Sequence, residues 1–265
     1  MWLRAKKRYG QHFLEPAWAD KLVQAIAPAV DDRFVEIGPG PGALTLRLAP
    51  QVAHLTAIEL DADMVASLAP RVPANVTVIH ADFLDFDLSS LAAERPLRVA
   101  GNLPYNVSSP ILFKLLEAHR ARGGIHDATL MVQREVADRL TASAGTSDYG
   151  VLSILVQLHA DVRRVLALPP GAFRPAPRVR SAVVALRFRP PAVAVVDERG
   201  FEAMVRMMFM QRRKTLLNAL NAYAVFRGVQ ARAALERAGI DSRRRPETLQ
   251  LTELARLADY FASGR

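Results

Sequence analysis

With 265 residues, 51% hydrophobic and 23% charged, the chain is long enough to bury a sizeable core and ordinary in composition for a globular protein. It contains no cysteine, which excludes disulfides, thiolate nucleophiles and cysteine-ligated metals, and no apolar run approaches the roughly 20 residues that span a bilayer. The net charge of +9 is uneven: residues 31–94 hold ten acidic and three basic side chains, whereas 162–265 hold eight acidic and twenty basic ones.

The first fourteen residues carry Arg4, Lys6, Lys7 and Arg8 with no acid, a basic arm lacking the apolar core of a secretory signal. Residues 33–38 predict a buried strand that runs into a Gly/Pro turn, and 42–49 a helix. A second strand follows at 54–59, then a helix over 61–69 N-capped by Asp61. Strands three, four and five are predicted at 75–80, 97–101 and 128–133. This alternation implies an α/β fold with a parallel sheet and helices on both faces. It stops after Gly150. Residues 151–159 read as a buried helix, 162–168 and 181–188 as a pair of closing strands, and the proline-rich 169–177 between them as a loop without regular structure. Pro190-Pro191 makes a linker, beyond which 199–224, 230–239 and 251–261 have helical periodicity. The expected organisation is a domain over 1–189, led by the arm 1–14, and a small all-helical domain over 190–265. Two further acid-free stretches, 162–196 with seven Arg and 203–235 with five Arg and one Lys, point with the arm toward a polyanion.

Glu36-Ile37-Gly38-Pro39-Gly40-Pro41-Gly42 lies between a strand and a helix, where glycines allow a sharp turn and close approach of a ligand to the backbone. Sites for NAD, FAD and S-adenosylmethionine share that feature. Glu59, twenty-one residues after Gly38, is placed at a strand end to accept both ribose hydroxyls. Asp82, after the third strand, is placed to accept from an adenine amino group. Three strand ends carrying Gly, Glu and Asp indicate a nucleoside-type cofactor and leave its identity open.

Gly101-Asn102-Leu103-Pro104-Tyr105, after the fourth strand, separates the readings. Hydride transfer has no use for it. Methylation of an exocyclic amine does, because that nitrogen's lone pair is delocalised into the ring. Hydrogen bonds from its N–H groups to fixed acceptors favour a more pyramidal, more nucleophilic nitrogen. The Asn102 side-chain oxygen and the main-chain carbonyl of Leu103 or Pro104 are the candidate acceptors, Pro104 stiffens the turn, and Tyr105 offers a stacking face. Alone, the tetrapeptide reads as a strand-ending turn; its position at the end of strand four favours chemistry. A sulfonium leaving group demands no strong base, so in-line positioning supplies most of the acceleration. The six histidines lack metal-ligand spacing, and no metal is expected.

In six ordered blocks the chain resembles the KsgA (RsmA) family of small-subunit ribosomal RNA adenine dimethyltransferases. The blocks are Tyr9-Gly10-Gln11-His12-Phe13-Leu14, Val35-Glu36-Ile37-Gly38-Pro39-Gly40, Ala57-Ile58-Glu59-Leu60, the 101–105 segment, Phe173-Arg174-Pro175-Ala176-Pro177-Arg178-Val179-Arg180-Ser181 and Gln211-Arg212-Arg213-Lys214-Thr215. The resemblance covers nearly the whole length. It implies a Rossmann-like methyltransferase sheet with S-adenosyl-L-methionine as cofactor, held by His12, Leu14, Gly38, Gly40, Glu59, Asp82 and Asn102, with Leu60 and Phe83 flanking its adenine. Phe173 would face Tyr105 across a flipped target base. The implied reaction is methyl transfer to N6 of two adjacent adenines in the 3′-terminal hairpin loop of 16S rRNA, giving N6,N6-dimethyladenine during small-subunit maturation. Lys6, Lys7, Arg8, Arg212, Arg213 and Lys214 would bind rRNA phosphates, in the small subunit or its precursor. A monomer, a cytoplasmic location and no membrane contact are expected. The sequence departs at His12, where many relatives have Asn; a ring nitrogen replaces one amide hydrogen bond. Leu103, where many amine methyltransferases have proline, would leave room for a once-methylated amine. The alternatives are a large-subunit rRNA adenine methyltransferase of the erythromycin-resistance type, which the intact 102–106 and 211–215 blocks disfavour, and a non-catalytic RNA-binding protein that kept the fold. A nicotinamide oxidoreductase lacks its hydride-transfer residues.

Overall fold

A computed structural model of the chain describes residues 6, 11–91, 96–122 and 124–263. They form two compact units: Met1–Ala137 with Asp161–Phe188, and Asp138–Ala160 with Arg189–Arg265.

The first unit opens with a two-residue strand, Phe13–Leu14 (β1), and the helix Pro16–Ile26 (α1), which begins on a proline at its first turn. Then come Arg33–Ile37 (β2), Thr45–Leu48 (α2), His54–Glu59 (β3), Ala62–Leu68 (α3), Val76–His80 (β4), Leu97–Asn102 (β5), Ser108–Arg122 (α4) and Ile125–Gln133 (β6). The five strands β2 to β6 pair parallel in the order β4-β3-β2-β5-β6. Central β2 is buried at Phe34, Val35, Glu36 and Ile37, as a strand covered on both faces requires, and Glu36 alone interrupts its apolar run. Arg134–Leu140 (α5) and Val151–His159 (α6) precede Ala160–Leu168 (β7), Phe173–Arg174 (β8) and Ser181–Phe188 (β9). Strand β9 pairs antiparallel with β6 and separates it from β7, which completes the seven-stranded sheet.

The second unit holds Glu198–Met210 (α7), Leu216–Phe226 (α8), Ala231–Ala238 (α9) and Leu251–Ser263 (α10), together with α6. Among the described residues no helix is long and apolar enough to cross a membrane.

The differences from expectation have local causes. The helix expected over 42–49 starts only at Thr45: residues 42–44 form a turn, because Gly42 sits at φ +88°, outside the right-handed helical region. The 199–224 segment is two helices, broken where Gln211 leaves helical geometry and the Arg212 guanidinium donates to the carbonyls of Thr146 and Ser147. The 169–177 segment is not wholly irregular: Phe173–Arg174 pairs with Phe13–Leu14, Leu14 opposite Phe173. Residues 138–160, expected in the first domain, belong to the second unit. Helix α6 is apolar on nearly every side, and the Gln157 amide donates to the carbonyls of Leu140 and Ala142, so the segment must find partners for several faces at once.

Arg98 of β5 is the main polar tie within the first unit. It donates to both oxygens of Asp127 at 3.1 and 3.0 Å, to Asp32 at 2.5 Å, and to the Ile26 and Ala27 carbonyls at the end of α1. One guanidinium thus joins β5 to β6 and satisfies carbonyls that a helix end leaves open. Replacing Arg98 with Met strands two partly buried carboxylates and should cost roughly 3 kcal/mol. Urea unfolding is the check; a loss under about 1 kcal/mol, the size of a surface pair, would show that the tie is dispensable.

Candidate active site

In a parallel sheet every strand ends at the same edge, and ligands bind there because the following turns diverge. One pocket opens at that edge, and every residue expected to hold the cofactor lines it. Gly38 and Gly40 adopt φ values of +63° and +55°, left-handed conformations that an L side chain resists. Gly40 is doubly constrained, since a Cβ there would meet the Phe13 ring at 3.3 Å. Its N–H donates to Glu59 Oε2, and the Asp61 N–H donates to Glu59 Oε1, both at 2.9 Å. The carboxylate at the end of β3 is thereby fixed while each oxygen keeps a second lone pair. Asp82 accepts from the Leu84 N–H at 2.8 Å, which shapes the turn carrying Phe83. Leu60 is 44% exposed and Phe83 buried, both on the pocket wall.

Glu36, inside β2, also lines the pocket. It is 2% exposed and its Oε2 has no hydrogen-bond partner. Burial pushes its carboxyl up to about 8, and repulsion from Glu59 adds to the effect. Burial raises Glu59 too. Two adjacent buried acids make the pocket a poor place for an anion and a good one for a cation. A carboxyl inside an otherwise apolar strand was the available sequence signal for Glu36; Gln11, likewise on the wall, lay within the first sequence block.

Asn102 ends β5, and its Nδ2 donates to the His12 main-chain carbonyl at 2.6 Å. A carbonyl only accepts, so the amide nitrogen must face it and Oδ1 is the end left for a ligand. The Leu103 N–H donates to Met131, and the Pro104 carbonyl accepts from Val107. Of the two carbonyls proposed as the second acceptor, Leu103's is therefore the better placed. The Tyr105 hydroxyl meets Ser181 Oγ at 2.7 Å.

Phe173 does not face Tyr105. It is 2% exposed, because pairing of β8 with β1 turns its ring into the core cluster that contains Leu14, Leu22 and Leu168. The ring on Tyr105 is that of His12, stacked with centroids 5.6 Å apart and planes at 24°. His12 Nδ1 meets the Pro175 carbonyl at 2.7 Å and so carries the proton.

The expected phosphate contacts divide. Lys7 and Arg8 lie outside the described residues. Lys6 is paired with Asp61 at 2.6 Å and Asp63 at 2.5 Å. Burial alone would raise the Asp61 carboxyl, but Lys6 and Gln11 together hold it below its usual value. Arg212 serves the 146–147 turn, whereas Arg213 and Lys214 are exposed.

Doubly wound sheets put ligands at this edge whatever their chemistry. An antiparallel strand beyond β6 and an Asn-Leu-Pro-Tyr turn after β5 define this one as a Rossmann-like methyltransferase. A sequence model described as ribosomal RNA adenine dimethylase matches residues 2–263, and the chain belongs to that family. It is 44% identical to the ribosomal RNA small subunit methyltransferase A of Nitrosococcus oceani, over 99% of this chain and 98% of the relative. Identity to the protein of the same name from Acinetobacter baylyi is 42%, over 97% and 93%. Among solved structures, a dimethyladenosine transferase from Plasmodium falciparum superposes with a TM-score of 0.79 at 25% identity, covering 95% of this chain and 98% of that one. The 23S rRNA methyltransferase ErmE superposes at 0.69 with 26% identity, covering 95% and 100%.

The Glu36 shift has a testable sign. Below pH 4.5 the carboxyl is protonated in both folded and unfolded chains; between 4.5 and about 8 the unfolded chain releases the proton and the folded chain retains it. Stability therefore falls as pH rises through that window. One pKa unit is worth about 1.4 kcal/mol, so the whole effect amounts to a few kcal/mol. Glu36→Gln should match the ligand-free wild type near pH 4 and exceed it in stability near pH 9. Parallel unfolding profiles across that range would refute it.

Proposed function

We propose that the chain uses S-adenosyl-L-methionine to methylate N6 of two adjacent adenines in the 3′-terminal hairpin loop of 16S rRNA, yielding N6,N6-dimethyladenine during small-subunit maturation. The observation that carries this reading is the pairing of a nucleoside-type pocket with the free Oδ1 of Asn102 and the Leu103 carbonyl at one wall. The pocket fits the cofactor on its own terms: Glu59 is fixed for ribose hydroxyls, and the unpartnered Glu36 oxygen suits a cationic ligand. When bound, the cofactor supplies an activated methyl group on a sulfonium. The protein's work is alignment. Asn102 Oδ1 and the Leu103 carbonyl accept the two N–H bonds of the target amine and localise its lone pair. Tyr105 stacks on the base, and the proton leaves to solvent after transfer. After the first methylation one N–H remains, so one acceptor suffices for the second.

The small-subunit substrate is supported by 42% and 44% identity to small-subunit methyltransferases over nearly the full length, and by a TM-score of 0.79 to a dimethyladenosine transferase against 0.69 to the 23S enzyme ErmE. Arg213 and Lys214 are the exposed phosphate contacts of the second unit, with Lys7 and Arg8 of the arm as the others. We assign the active form as a cytoplasmic monomer acting on the small subunit or its precursor.

Purified protein with a labelled methyl donor should modify small subunits from cells lacking it and leave large subunits unlabelled. Asn102→Ala should lower the rate by about a hundredfold or more. Label in the large subunit, or full activity of Asn102→Ala, would overturn the assignment. Leu103→Pro narrows the amine slot and should raise the ratio of mono- to dimethyladenine, read by mass spectrometry; an unchanged ratio removes Leu103 from product control.

A further inference from the structure

Tyr105 and Ser181 lie 76 residues apart in sequence, in two different blocks, yet their hydroxyls meet at 2.7 Å. Ser181 is 2% exposed and opens β9, where it pairs with Gln133 at the end of β6. Because β9 runs antiparallel to β6, its first residue falls at the edge where β5 ends. Strand β6 stands between them, and the Tyr105 side chain spans it.

A tyrosine hydroxyl lies on the axis of rotation of its own ring. A bond to it therefore leaves χ2 untouched and fixes χ1, the torsion that decides where the whole ring sits. The His12 ring, stacked on Tyr105 at 5.6 Å, constrains the remaining rotation. Burial raises the Tyr105 phenol above its ordinary value, so it is neutral and able to donate or accept in this contact. We propose that Ser181 is a positioning residue for methyl transfer: its hydroxyl anchors the far end of Tyr105, and through that ring it sets the height and tilt of the target base relative to Asn102. The inference rests on Tyr105 being the ring that stacks on the base.

The test is a double-mutant cycle of Ser181→Ala and Tyr105→Phe, with Tyr105→Ala as reference. Its substrate is small-subunit RNA carrying 2-aminopurine in place of one target adenine for fluorescence, and unmodified RNA for rates. Each single variant should lose roughly five- to tenfold in kcat/KM for RNA, the worth of one hydrogen bond. The double variant should be no worse than either, and Ser181→Thr should recover most of the rate. Quenching of 2-aminopurine should weaken in parallel, while cofactor affinity by calorimetry stays at the wild-type value. Additive losses in the double variant, or single variants at the wild-type rate, would overturn the positioning role. Tyr105→Phe keeps the question answerable if Ser181→Ala folds poorly. Full activity of Tyr105→Ala would overturn the stacking reading itself, and the inference with it.

Discussion

The site depends on one topological constraint: parallel strands end together. Strands β2, β3, β4 and β5 deliver the glycine turn, Glu59, Asp82 and Asn102 to one edge without any of these residues being near one another in sequence. A sixth parallel strand would have sent its beginning to the far edge. The antiparallel β9 instead brings the 173–181 segment back to the edge where chemistry occurs. The β1–β8 pair then ties residues 13–14, which line the pocket, to 173–174. Cofactor side and acceptor side are thus two stretches of one rim, with the position-12 backbone touching both.

Electrostatics within that rim follow from where the acids are buried. Glu36 and Glu59 sit on adjacent strands, 2% and 7% exposed; burial raises both carboxyls, and the Glu59 charge raises Glu36 further. Glu59 is partly compensated by two backbone N–H groups, whereas Glu36 has an oxygen without a partner. A cation entering the pocket relieves both. Among the acidic side chains of residues 31–94, Glu36, Glu59 and Asp61 are buried, whereas Asp31, Asp63, Asp85 and Asp87 are exposed, so the buried acidity that faces the pocket comes from Glu36 and Glu59.

Much of this was legible in the sequence because the determinants are local. An apolar run closed by glycine or a polar residue identifies a strand, and the residue after it identifies the site. What escaped was non-local. Two residues, Phe13–Leu14, form a strand only because Phe173–Arg174 lies alongside, and no periodicity spans a two-residue element. That pairing also decides which way Phe173 faces, so its burial was not readable from the proline-rich segment. Lys6 and Arg212 looked like phosphate ligands in a basic run, but their partners, Asp61 and the 146–147 carbonyls, lie 55 and 65 residues away in the nearest cases. A cation's availability is set by what the fold places beside it.

His12 shows how backbone and side chain divide the work at one position. The contact that orients Asn102 is made by the His12 main-chain carbonyl, which any residue supplies. The ring has separate tasks, resting on Tyr105 and donating to Pro175. An Asn at this position, common among the relatives that the sequence resembles, retains the carbonyl and an amide donor but has no ring to stack. The acceptor geometry therefore survives the difference, and what varies is how firmly Tyr105 is held when no base is present. The Ser181 hydroxyl acts on the other end of the same ring, so the two restraints are complementary, and a ring at position 12 reinforces an anchor that the β-sheet already provides.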